Sequence, residues 1–137
     1  MRRSWRLGAT PYRDRAVREL NELKHVGFKG RLVMVGFGSI GQGVLPLIDR
    51  HIDMPRERIT IVTAEPRGRE IAAEYGIRFV ETALTRENHR AVLEPMLGAG
   101  DFLLNLSVDV QSVALIELAH AAGALYLDTC IDRKSVV

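Results

Sequence analysis

The chain has 137 residues, enough for one domain with an ordinary core and too few for two full ones. A composition that is 47% hydrophobic and 26% charged belongs to a globular protein, not to a disordered or fibrous one. Nineteen basic residues nearly balance 17 acidic ones, which argues against nucleic acid as a partner, although residues 1–30 hold eight Lys/Arg against three Asp/Glu. The single cysteine, Cys130, excludes an internal disulfide and a multi-cysteine zinc site, and fits a reducing compartment. The longest charge-free stretch, residues 32–48, contains four glycines and Pro46, and it falls short of the ~20 residues a bilayer requires. Arg2, Arg3 and Arg6 are followed by no apolar segment of the kind a secretory signal needs. No membrane partner is expected, and a cytoplasmic location follows.

Residues 1–13 are basic and punctuated by Gly8 and Pro11, the pattern of a poorly ordered arm. A short helix is expected from Asp14 as N-cap, with Ala16, Leu20 and Leu23 along one face. From Gly30 the chain alternates between two periods. Arg31–Val35 is a continuous apolar run, as in a strand buried on both faces. Ile40, Val44, Leu47 and Ile48 then mark an amphipathic helix to about His51, in which Pro46 removes a hydrogen bond and predicts a kink. Ile59–Thr63 is the second strand, and Gly68–Tyr75 a helix burying Ile71, Ala72 and Tyr75, ended by Gly76. Ile77–Val80 is a third strand. Thr85 is expected to cap a helix carrying Val92, Leu93 and Met96, with Pro95 disturbing its last turn. Asp101–Leu106 is a fourth strand. Asp109 is expected to cap a helix with Leu115, Leu118, Ala119 and Ala122 inward, stopped by Gly123, before a fifth strand at Ala124–Asp128.

Such β-α alternation with short connections predicts an α/β fold, a doubly wound parallel sheet flanked by helices on both faces. The expected strand order is 3-2-1-4-5, a Rossmann-like sheet without its sixth strand. Residues 1–29 then form a basic arm with a short helix, 30–131 a dinucleotide-binding domain, and 132–137 a tail.

Between the first strand and the first helix lies Gly36-Phe37-Gly38-Ser39-Ile40-Gly41, a G-x-G-x-x-G in the context that gives it meaning. Gly36 permits the tight turn, Gly38 lets the backbone approach a pyrophosphate, and Gly41 lets the helix pack closely on the strand. The amides of Ser39, Ile40 and Gly41 at the helix N-terminus suit an anion. Without a ligand the same glycines are simply a strand-to-helix turn. Glu65, 24 residues after Gly41, ends the second strand where a carboxylate would bind ribose hydroxyls and favour NAD. Arg67 and Arg69 follow, and arginine at this corner is what NADP requires. A methyltransferase reading is weakened by Met34 standing where an acid is usual, and an NTPase loop by the absence of a following lysine.

Asn105 and Ser107 end the fourth strand at the same crevice, within reach of a nicotinamide. Cys130 has no histidine beside it in sequence, and His25, His51, His89 and His120 are scattered. No metal cluster, carboxylate pair or catalytic triad stands out, so no catalytic residue is assigned.

The runs VGFGSIGQGVLP, ITIVTAE, GREIAAEYGIRFVE, DFLLNLSVDVQSVALIELA and ALYLDTCI resemble the N-terminal cofactor domain of the bacterial homospermidine synthases, within the saccharopine dehydrogenase-like oxidoreductases. The resemblance covers about residues 30–131. It implies polyamine biosynthesis with NAD as cofactor. Putrescine is oxidised to an imine, a second putrescine adds with loss of ammonia, and the adduct is reduced, so a transferase reaction proceeds through oxidoreductase steps. It implies Gly36, Phe37, Gly38, Ser39, Ile40, Gly41 and Glu65 as cofactor-binding positions, with Asn105 and Ser107 beside them. The family's substrate-binding residues lie downstream, so a truncated chain, inactive alone, is the expectation. A homo-oligomer through the exposed sheet edge is expected as well. The competing expectation is a stand-alone NAD(P)-binding or sensing module without catalysis.

Overall fold

The computed structural model describes residues 23–129. The expected helix from Asp14 begins outside them, as does Cys130.

The β-branched and leucine runs form the strands of one parallel sheet. In chain order the described elements are β1 (Val26–Gly27), β2 (Leu32–Val35), α1 (Ser39–His51), β3 (Ile52–Asp53), β4 (Ile59–Thr63), α2 (Arg69–Glu74), β5 (Arg78–Glu81), α3 (His89–Leu93), β6 (Phe102–Asn105), α4 (Ser112–Ala122) and β7 (Leu125–Asp128). The main sheet has the order β5-β4-β2-β6-β7, all parallel, which is the expected 3-2-1-4-5 arrangement. Every residue of β2 is buried, as its unbroken apolar run requires of a central strand covered on both faces. One core cluster joins Met34, Ile59 and Ile61 to Leu45 and Ile48 of α1 and Ala72 of α2. The other joins Val33, Val35 and Leu103 to Leu93 of α3 and to Leu115, Leu118 and Ala119 of α4.

Several local expectations need correction. In α1 the buried residues are Gly41, Leu45 and Ile48, whereas Ile40 and Leu47 are exposed. The helix carries apolar residues over a wider arc than the sheet covers, and Gly41 sets the contact line. Residues 39–51 form one uninterrupted helix, and Pro46 sits on its exposed side, where the carbonyl it leaves unpaired can be hydrated. The third strand is shifted by one residue, because the Ile77 amide closes the end of α2 by donating to the Ala72 carbonyl at 2.9 Å. Thr85 does not cap α3. Thr85 and Asn88 instead exchange side-chain-to-amide hydrogen bonds of 2.7 and 3.2 Å, and the helix starts only at His89. Asp109 does not cap α4 either, since residues 108–110 bend along a cleft and α4 begins three residues later.

A feature absent from the sequence reading is the short parallel pair β1–β3, with Val26 opposite Ile52 and Gly27 opposite Asp53. It draws residues 24–28, assigned above to the basic arm, against the last turn of α1. The His25 amide donates to the His51 carbonyl at 2.8 Å, and the two rings lie 5.0 Å apart. Two of the histidines that look scattered in sequence are therefore neighbours.

Candidate functional site

At the carboxyl ends of β2, β4 and β6 a cleft of about 670 Å³ opens, bounded by residues 36–40, 62–65, 82–84 and 106–110. It lies where the sheet reverses its winding direction, the place at which open α/β sheets bind ligands. Gly36 leaves β2 with φ +87°, and its amide donates to the Val62 carbonyl at 2.8 Å. A Cβ there would lie 2.8 Å from the Ser107 amide nitrogen, so both conformation and space demand glycine. Gly38 differs. Its φ of −82° is open to any residue, and a Cβ would meet no protein atom within 4 Å. Gly41 does not line the cleft; a Cβ on it would press on the Gly36 carbonyl and the Phe37 ring at 3.1 Å.

The helix that starts here has no side-chain cap and no acidic residue in its first turn. The amides of its first turn therefore have no side-chain acceptor, and Ser39 and Ile40 of that turn line the cleft, with the positive end of a 13-residue helix dipole behind them. Phe37 contributes only backbone to the cleft's polar lining, because its ring is buried against Phe79 at 6.4 Å. Ser39 and Ile40 are exposed on the cleft wall. Gln42, which the sequence reading passed over, steadies the turn by donating to the Phe37 carbonyl at 3.1 Å.

Glu65 stands on the rim with its carboxylate open to solvent, 3.4 Å from the Arg67 guanidinium. Arg69 is turned away, paired with Glu81 and stacked 4.9 Å over the Phe79 ring. Of the two arginines at this corner, only Arg67 lines the cleft.

Ser107 lines the opposite wall, but Asn105 does not face the cleft. It is fully buried, its Oδ1 accepting from the Ser107 amide at 3.1 Å and its Nδ2 donating to the Tyr126 hydroxyl at 3.2 Å. That hydroxyl donates in turn to Asp128 at 2.9 Å. Burial pushes the Tyr126 hydroxyl pKa up and the Asp128 carboxylate adds to the rise, while the Asn105 and Ser112 hydrogen bonds oppose it. Asn105 therefore shapes the Ser107 loop from beneath. Alternation along β6 places a polar residue inward at 105, but nothing in the sequence announces Tyr126 as its partner. Among the described residues no group of three or more His, Cys, Asp and Glu side chains is placed to hold a metal, and no helix is long and apolar enough to cross a membrane.

A doubly wound parallel sheet with a glycine turn at its switch point defines the Rossmann-like class of nucleotide-binding domains. The family described as the saccharopine dehydrogenase NADP binding domain matches residues 32–136, and the chain belongs to that family. Over 106 residues it is 45% identical to a homospermidine synthase of Blastochloris viridis and 43% identical to one of Mesorhizobium japonicum, covering 75% of this chain and 22% of each relative. The crystal structure of a homospermidine synthase from Legionella pneumophila in complex with NAD matches with a TM-score of 0.73 and 37% identity, over 77% of this chain and 23% of that one. The chain thus spans about a fifth of the length of the relatives it matches.

Proposed function

We propose that this chain is the NAD-binding portion of a homospermidine synthase, spanning residues 30–131, and that by itself it holds the cofactor without completing the reaction. The observation carrying this reading is the uncapped N-terminus of α1 opening into the cleft beside a glycine whose Cβ position is clear of protein. That arrangement fits a pyrophosphate: Ser39 and Ile40 would supply amides, Gly41 would let the helix pack against the turn, and Gly38 would leave room for the backbone to approach. Glu65 would bind the ribose hydroxyls and repel a 2′-phosphate. Ser107, held by Asn105, would bound the nicotinamide half. NAD, when bound, supplies a hydride acceptor; the residues here only orient it and shield it from water.

Both cofactors have a claim, since the family carries NADP in its description and the Legionella relative holds NAD. Glu65 on the rim and the diversion of Arg69 to Glu81 favour NAD. A charged hydrogen bond of this kind contributes ~1.5–3 kcal/mol, so the preference for NAD over NADP should be roughly tenfold or more. Parallel calorimetric titrations with NAD, NADP and S-adenosylmethionine test this. Tighter NADP would hand the corner to Arg67, and tighter S-adenosylmethionine would overturn the reading. Putrescine would bind only with residues beyond this chain. A cytoplasmic location and self-association through the outer edge of β7 complete the proposal.

A further inference from the structure

Behind the cleft wall lies a hydroxyl that takes no part in the cleft's lining. Tyr126 packs its ring into the core cluster under α3 and α4. A phenylalanine would fill the same space, so packing alone does not call for the hydroxyl. Its bonds do. It accepts from Asn105 Nδ2 at 3.2 Å and donates to Asp128 Oδ2 at 2.9 Å. Ser112 also hydrogen-bonds to it. Asn105 is the last residue of β6 and Ser112 the first of α4, and residues 106–110 between them form one lip of the cleft. One hydroxyl thus ties both ends of that lip.

The direction of each bond follows from the one before it. A carboxylate only accepts, so Asp128 takes the hydroxyl proton and leaves the tyrosine oxygen as an acceptor. Asn105 must then offer Nδ2 to it, which turns Oδ1 toward the Ser107 amide at 3.1 Å. Ser107 Oγ accepts in turn from the Asp109 amide at 3.2 Å. Asn105 is fully buried, so its carboxamide cannot replace a lost partner with water. On the other side, a Cβ on Gly36 would lie 2.8 Å from the Ser107 nitrogen, so the lip already rests on the glycine turn and has no room to move inward. We propose that Tyr126 is a positioning residue, whose hydroxyl acts through Asn105 to hold Ser107 against the glycine turn at the separation that the nicotinamide half of a dinucleotide requires. The tip of the loop stays free to adjust, with Val108 85% exposed. This role rests on the cofactor reading above.

Calorimetric titration of the full chain with NAD and with ADP-ribose, which has the same adenosine and pyrophosphate but no nicotinamide, tests it. Tyr126→Phe keeps the ring and should weaken NAD about tenfold while changing ADP-ribose by less than about twofold. Loss of folding stability alone would lower both affinities alike, so their ratio separates positioning from support. Asp128→Ala reads the same ratio should Tyr126→Phe fail to fold. It frees the hydroxyl to donate to Asn105, which would turn the carboxamide over and set Nδ2 against the Ser107 amide. Equal weakening of the two ligands, or NAD binding unchanged in these variants, overturns the positioning role and leaves the cofactor reading standing. An unmodified chain that binds neither ligand overturns the cofactor reading, and this role with it.

Discussion

Gly36 and Gly38 stand two residues apart in one motif and carry different constraints. Gly36 is required by the protein itself, through its left-handed conformation and the Ser107 backbone against it. Gly36→Ala should therefore lower stability by roughly 1–3 kcal/mol, visible as a reduced melting temperature. At Gly38 a Cβ would meet no protein atom within 4 Å, so Gly38→Val should leave melting nearly unchanged while abolishing NAD binding in titration. The reverse pattern would mean that the turn is structural only. Asp101 presents a third kind of constraint. It is buried, and burial raises its pKa, but the amides of Arg31 and Gly98 and the Arg31 guanidinium outweigh this and hold the carboxyl below its ordinary value. A depressed folded pKa stabilises fully above the unfolded value of ~3.9 and ceases to do so as pH falls through the folded one. Asp101→Asn should cost roughly 1.5–3 kcal/mol near neutral pH, with the difference from the unmodified chain shrinking in acid. An equal difference at pH 7 and pH 2.5 in urea titrations would contradict the ionic account.

Among the elements, those with unbroken apolar runs were legible from the sequence and those shaped by backbone demands were not. Leu32–Val35 and Ile59–Thr63 are central strands because four and five consecutive buried or near-buried positions leave few alternatives. The helix after Thr85 starts later than expected because the Thr85 hydroxyl is used in a turn with Asn88, and the helix after Asp109 because residues 108–110 bend before it begins. The ribbon β1–β3 has two residues per strand, too short for any periodicity to register. In the site, the glycine spacing and Glu65 could be read directly, whereas the burial of Asn105 beneath Ser107 depends on Tyr126, distant in sequence and adjacent in register. β7 pairs with β6 on one side and with no described strand on the other. Its outer row of amides and carbonyls is suited to strand pairing, so the chain should self-associate at micromolar concentration. A monomer throughout a sedimentation concentration series would refute this.

At the scale of the whole molecule, the described residues build a cleft between the glycine turn and the loop 106–110, and a homospermidine synthase reaction would need more. Holding an amine in attack position against a nicotinamide can lower a barrier by ~7–11 kcal/mol through orientation alone. Among the described residues, the wall opposite the glycine turn consists of the loop 106–110, with no pair of carboxylates to hold a diammonium substrate. The purified chain, given putrescine and NAD, should release no ammonia and form no homospermidine above a blank. Turnover that disappears in Gly38→Val would show that an active site is already complete here. The Arg31–Asp101 contact adds a mechanical consequence. It rivets the lower ends of β2 and β6, with the Arg31 amide at 2.7 Å and its Nε at 2.9 Å from the carboxylate, along the seam where the two halves of the sheet meet. The cleft opens at the opposite end of that seam. With the seam pinned below and laddered throughout, the strands cannot splay to admit a ligand. Adjustment of the cleft to a ligand would then fall on the loop 106–110, with the nanosecond-to-microsecond motion typical of loops, and not on the bonded glycine turn.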